Sequence, residues 1–184
     1  MGFSMALFGL FGSKKHERAG YALYTAAVTA ARDPVFYLRL NVPDTMDGRF
    51  DMVGLFVFLV IHRLRDEGET GKALGQAVFD AMFHDMDFNL RELGVSDMRV
   101  GKTMKTMWEA FHGRSANYAA PVLAGDEPAL AAAIARNVWR HDADPVPAHA
   151  LAALSIAQDR HLAAQPLSDL VAGRINFLPA TVPA

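Results

Sequence analysis

Apolar residues recur at three- and four-residue spacings along most of the chain, the signature of helices packed on one side. In KKHERAGYALYTAAVTAARD, Ala19, Leu23, Ala26 or Ala27 and Ala30 share a stripe, which predicts a helix over 14–32 with Asp33-Pro34 as its stop. PVFYLRLNVPDTMDG begins and ends in turn residues and alternates at Val35, Tyr37 and Leu40, so residues 34–44 read as an extended connector with aromatic anchors. Asp47 then caps a helix over 48–66. From Met52 to Ile61 every residue is apolar or glycine, and a helix apolar all round is either buried or holds an apolar partner. The run is half of the roughly 20 residues that cross a bilayer, which makes it a central core helix.

A helix over 70–93 comes next, stopped by Gly94. At 100° per residue, Leu74, Val78, Met82, Met86 and Leu90 line one stripe with Phe79 and Phe83 beside it, while Asp80, His84, Asp87 and Arg91 fall on the opposite side. Asp87 and Arg91 are spaced for an ion pair one turn apart. Asp80, His84 and Asp87 have metal-ligand chemistry, but no second histidine sits at a matching spacing and Arg91 would place a cation beside the ion. The set therefore reads as a charged surface, with a metal-dependent hydrolase as a competing class.

Ser96 or Asp97 caps a helix over 97–114 whose apolar face is Val100, Met104, Met107, Trp108 and Phe111. Arg99, Lys102 and Lys105 point away from it and Arg114 follows, forming a basic strip suited to phosphate backbone or anionic headgroups. Further helices are expected over 127–142, with Leu130, Ile134 and Val138 inward, over 148–164, and from Ser168. The fold class is thus all-α, a single domain of about seven helices. It divides into a flexible apolar segment over 1–13, a helical domain over 14–174 and a loose tail over 175–184.

Composition narrows the function. The 184 residues carry a formal net charge of −2, so no global field grips nucleic acid, and the absence of cysteine removes thiolate catalysis and iron–sulfur ligation. No nucleophile-base cluster, Walker loop or dinucleotide fingerprint occurs, and no cofactor is implied. At the start of the chain, Phe3, Leu7, Phe8, Leu10 and Phe11 precede Lys14, Lys15 and Arg18, the wrong order for a secretory signal but compatible with a segment lying in a membrane interface. Five of the nine methionines lie between Met82 and Met107, and thioethers adapt to varied apolar partners. Residue chemistry alone reaches a helical binding domain, with a lipid- or haem-binding protein as a further alternative.

Two longer patterns carry a resemblance. VPDTMDGRFD and FxxMFxDMDxxLRELGVxDMxVGKxMKxMxEAFxGR, within a similarity over 21–139, resemble the ubiquinol-cytochrome c chaperone family of mitochondria and alphaproteobacteria. The resemblance implies a non-enzymatic assembly factor that binds newly made cytochrome b and supports assembly of the ubiquinol-cytochrome c reductase complex. It also implies association with the ribosome near the tunnel exit, a small partner protein, and peripheral contact with the inner membrane from the cytoplasmic side; the short start before Lys14 fits a bacterial member. No catalytic residue transfers. For such a role, Phe83, Met86, Met98 and Met107 are the expected client-binding residues, and Arg99, Lys102, Lys105 and Arg114 the expected ribosome- or lipid-facing surface.

Overall fold

The computed structural model describes the backbone over 4–140 and 145–181, with side chains from Lys14 onward in the first stretch and from Val146 in the second. The expectation for Phe3, Leu7, Phe8, Leu10 and Phe11 concerns side chains outside the described residues. Eight α-helices occur among those described: α1 (Ser4–Ala31), α2 (Pro34–Leu38), α3 (Met46–Leu64), α4 (Gly68–Glu92), α5 (Asp97–Ala124), α6 (Glu127–Ile134), α7 (Pro145–Ala163) and α8 (Leu167–Val171). A π-helical turn, Ala135–Trp139, continues α6.

α3 is the hub. Phe50, Met52, Val53, Leu55–Val60 and Leu64 are all buried, and the helix touches α1, α4, α5, α7 and the π turn. Each large apolar side chain removed from water contributes about 1.5–3 kcal/mol, which no single neighbouring helix could provide for a cylinder apolar on every side. The most extensive pairing is that of α1 with α4, followed by α6 with α7. Gly20 makes the first one possible: a Cβ there would stand 2.6 Å from the backbone of Ala77.

Several boundaries differ from the expected ones for local reasons. The helix of α1 starts at Ser4, within the segment expected to be flexible. Residues 34–44 are not wholly extended, because Asp33, read as a stop, also accepts a hydrogen bond from Val35 N at 2.9 Å and Pro34 opens α2. Proline suits a first helical turn, where its missing N–H is not needed. Thr45 rather than Asp47 caps α3, its hydroxyl accepting from Gly48 N at 3.1 Å. α5 passes the end expected at Arg114 and reaches Ala124, since Tyr118 and Val122 beyond it are buried. Gly125 closes it in the left-handed conformation at φ +67°. The expected 127–142 helix switches to π geometry at Ala135, with Leu130, Ile134 and Val138 inward as the spacing requires.

The segment expected to be a loose tail is pinned. Buried Gln158 donates to Leu178 O and accepts from Leu178 N, both at 2.8 Å, Gln165 brackets Asn176 in the same way, and the Phe177 ring lies 5.4 Å from that of Phe56. Polar side chains that satisfy an irregular strand of backbone hold it as a ladder would.

Replacing Gly20 with valine should lower the urea midpoint of unfolding by the equivalent of about 2 kcal/mol or more, because α1 must move off the α4 backbone to admit the side chain. An unchanged midpoint would show that the close approach of α1 to α4 at Gly20 is not needed for stability.

Candidate functional site

Between α1, the N-terminal part of α3, the C-terminal half of α4 and α5 lies an open groove of about 430 Å³. Phe50, Val53, Met86, Leu90 and Met107 supply its apolar lining, and Met46 and Leu93, 53% and 63% exposed, stand at its mouth. The stripe periodicity of α4 brings Met86 to this place, while α5 runs back across α4 and delivers Met107 to the same groove. Arg32, Asp44 and Arg49 give the mouth its charge, and Arg49 Nε donates to Asp44 Oδ1 at 2.6 Å. The guanidinium holds the Asp44 carboxyl below its ordinary range.

Of the four expected client-binding residues, the fold therefore unites Met86 and Met107. Phe83 packs instead against Phe79, ring centroids 4.5 Å apart, and does not line the groove. Met98 is 89% exposed at the start of α5, also outside it.

The acidic cluster on α4 is organised by protein groups. Tyr24 OH donates to Asp85 Oδ2 at 2.6 Å across the α1–α4 interface, Gln76 Nε2 donates to Asp80 Oδ1 at 2.7 Å, and Arg91 Nε donates to Asp87 Oδ2 at 2.6 Å while also pairing with Asp97. Burial, and then the hydrogen bond to Asp85, push the Tyr24 hydroxyl well above its ordinary range. Asp87 is held low by Arg91. Among the described residues no group of three histidine or carboxylate side chains is assembled for a metal.

Arg99, Lys102 and Lys105 are exposed on α5, with Lys105 Nζ 3.8 Å from Glu109. Arg114 does not join them, which corrects its placement in the basic surface. Its guanidinium turns inward, pairs with the buried Asp51 carboxylate of α3 and lies 5.5 Å from the centre of the Phe50 ring. Arg140, which pairs with Asp47 at 3.2 Å, stands 3.9 Å from the same carboxylate. Sequence spacing could not reveal this pair, because its members are 63 positions apart; the available signal was an aspartate bordering an otherwise apolar run. VPDTMDGRFD thus has structural work: Thr45 caps α3, Gly48 admits Pro43 O, from which a Cβ would be 2.0 Å away, and Asp51 anchors α5.

The match to known proteins agrees with this architecture. The family model for ubiquinol-cytochrome C chaperone matches residues 38–177. The chain belongs to that family. Its relatives include ubiquinol-cytochrome c reductase complex assembly factor 1 of mouse, 30% identical over 139 residues that make up 76% of this chain and 46% of the relative. The Xenopus laevis assembly factor 1 is 26% identical over 78% of this chain and 70% of its own length. The chain thus matches less than half of the mouse relative's length and a larger share of the frog one's. A crystal structure of the Cbp3 homolog from Brucella abortus superposes with a TM-score of 0.84 and 36% identity, covering 96% of this chain and 99% of that one.

Burial raises Asp51 to about 6, against the opposing pull of Arg114 and Arg140. The folded value lies above the unfolded one, so the folded chain keeps a proton that the unfolded chain releases. This group's contribution to stability is full below about pH 4 and is lost as pH rises through about 6. Removing the counter-ion in Arg114→Met should therefore destabilise the protein by about 3 kcal/mol at pH 8, where Asp51 must ionise, and by at least about 1 kcal/mol less at pH 5. Urea unfolding at the two pH values measures both; a loss independent of pH would mean that Arg114 contributes only packing.

Proposed function

We propose that this chain is an assembly factor of the ubiquinol-cytochrome c reductase complex that binds newly made cytochrome b through the groove at Met86 and Met107. The observation that carries the reading is the meeting of two methionines from different helices in an open apolar groove of a protein whose family is that of the ubiquinol-cytochrome C chaperone. Cytochrome b is a membrane protein whose segments are apolar before insertion. Holding one requires a surface that covers apolar side chains without demanding one shape, and flexible thioethers provide it. The groove is open, and modest apolar area gives a complex that can be released when the client moves on.

The face of Arg99, Lys102 and Lys105 supports a second contact, with ribosomal RNA near the tunnel exit or with anionic lipid at the cytoplasmic side of the inner membrane. No described helix is long and apolar enough to cross a membrane, so membrane contact in this reading is peripheral. A small partner protein, as the family resemblance implies, completes the set of partners. The role is that of a binding protein rather than an enzyme.

Replacing Met46 and Leu93 with aspartate tests the groove without entering the core, since both side chains are largely exposed. Cytochrome b recovered with the tagged protein should fall about ten-fold or more at unchanged thermal stability, the size of a hot-spot loss. Undiminished recovery would remove the groove from the proposal, and failure of the unmodified protein to recover cytochrome b would remove the client. In a separate measurement, Arg99→Glu, Lys102→Glu and Lys105→Glu together should abolish sedimentation with ribosomes or with anionic vesicles, and whichever survives is not the contact made by this face.

A further inference from the structure

A second groove, of about 890 Å³, opens over the C-terminal half of α3, between the N-terminal half of α4 and the middle of α5. It shares no lining residue with the groove at Met86 and Met107. One end is aromatic: the Phe79 ring lies 5.5 Å from Phe111 and 5.4 Å from His112, and Trp108, 48% exposed, meets the His112 ring at 4.1 Å with a steep interplanar angle. Gly68, Gly71 and Gly75 interrupt the side chains of the α4 wall. Toward the other end stand Lys72, Arg65 and Glu69; Lys72 precedes Phe79 by seven positions, about 10 Å along the helix.

Two polar groups in this groove lack a use within the protein. His112 is exposed and touched by three aromatic rings, and neither ring nitrogen makes a hydrogen bond to a described residue. Ser115 Oγ, nearly one turn along α5, is buried with no hydrogen-bond partner. The other lining histidine, His62, is engaged, with Nδ1 2.8 Å from Asp159 and an Arg65 nitrogen 2.5 Å from Nε2. Of the two lining imidazoles, His112 is therefore the one left free to take an incoming ligand.

These features specify a ligand chemistry. Aromatic walls favour a flat conjugated ring, an unengaged imidazole favours a soft-to-borderline metal, and a lysine further along the groove favours a carboxylate on the same ligand. Iron porphyrin combines all three, and the groove volume lies in the range of small-molecule and cofactor sites. We infer that this groove binds haem, with His112 as an axial ligand to iron, Trp108 and Phe79 against the macrocycle, and Lys72 facing a propionate. An acyl chain would use the same walls and the same lysine but would make no use of the imidazole, which separates the two experimentally. The inference is independent of the client proposed for the other groove.

The full chain would be titrated with iron(III) protoporphyrin IX and, in parallel, with metal-free protoporphyrin IX, followed by the Soret band and by electron paramagnetic resonance. Saturable binding of a single equivalent with a histidine-ligated spectrum is expected. His112→Ala should lose that spectrum and bind the iron porphyrin about ten-fold or more weakly while binding the metal-free ring as before. Lys72→Glu should weaken both porphyrins, and His84→Ala, an exposed histidine outside the groove, should match the unmodified protein. The inference fails if binding does not saturate, if His112→Ala keeps the spectrum, or if His84→Ala loses as much as His112→Ala, which would make the binding adventitious surface ligation.

Discussion

The constraint on which this structure depends is that α3 presents no polar side along its middle. A helix of this kind cannot lie on a surface, so α1, α4, α5, α7 and the π turn are arranged around it as a sheath. Apolar packing alone leaves such an arrangement free to rotate and slide, because one apolar contact replaces another at little cost. Its two buried polar residues remove that freedom. Asp51 near the start is matched to Arg114 of α5 and approached by Arg140 after the π turn, and His62 near the end is matched to Asp159 of α7. A carboxylate taken from water without its partner costs several kcal/mol, so only one placement of α5 along α3 is tolerated.

That same placement sets the grooves. With α5 fixed by Arg114, its upstream turns cross α4 so that Met107 reaches the C-terminal half of α4, while Trp108, Phe111 and His112 face the N-terminal half. Neighbouring positions on one helix thus serve different surfaces, as a 100° turn per residue requires. Phe79 meets both Phe83 and Phe111, and with Phe111 it lines the second groove.

What could be read from the sequence follows the range of the forces involved. α4 was legible nearly to its ends, because its stripe is periodic and Gly94, at φ +76°, is a local stop. Met86 was legible for the same reason, and so was the Asp87–Arg91 pair. The end of α5, expected at Arg114, misled, since the burial of Tyr118 and Val122 further along carries the helix on to Ala124. Arg114 misled more seriously: its neighbours in sequence are polar, and the residue that draws it inward lies on another helix. The tail over 175–181 misled likewise, because the glutamines that hold it belong to α7 and the turn after it. Trp108 belonged to the expected buried face of α5 yet stands half exposed, with the His112 ring against it.

These departures share a cause that bears on function. A cation drawn to the core, a tryptophan left uncovered and a histidine without a hydrogen bond are each choices that local propensity would not make, and a chain keeps them only where tertiary structure or a ligand compensates. For Arg114 the compensation is visible in Asp51. For Gln158 and Gln165 it is the backbone of the tail. For Trp108 and His112 the protein itself supplies only ring contacts, which leave the indole half exposed and both imidazole nitrogens without a hydrogen bond to a described residue. A side chain at Gly75 would meet Ile61 at an ordinary 3.8 Å, so the fold does not require glycine there, whereas at Gly71 a Cβ would stand 2.2 Å from Leu64 O. Beside Gly75 the groove is open where packing does not require it to be, which is what a site for the proposed ligand would show.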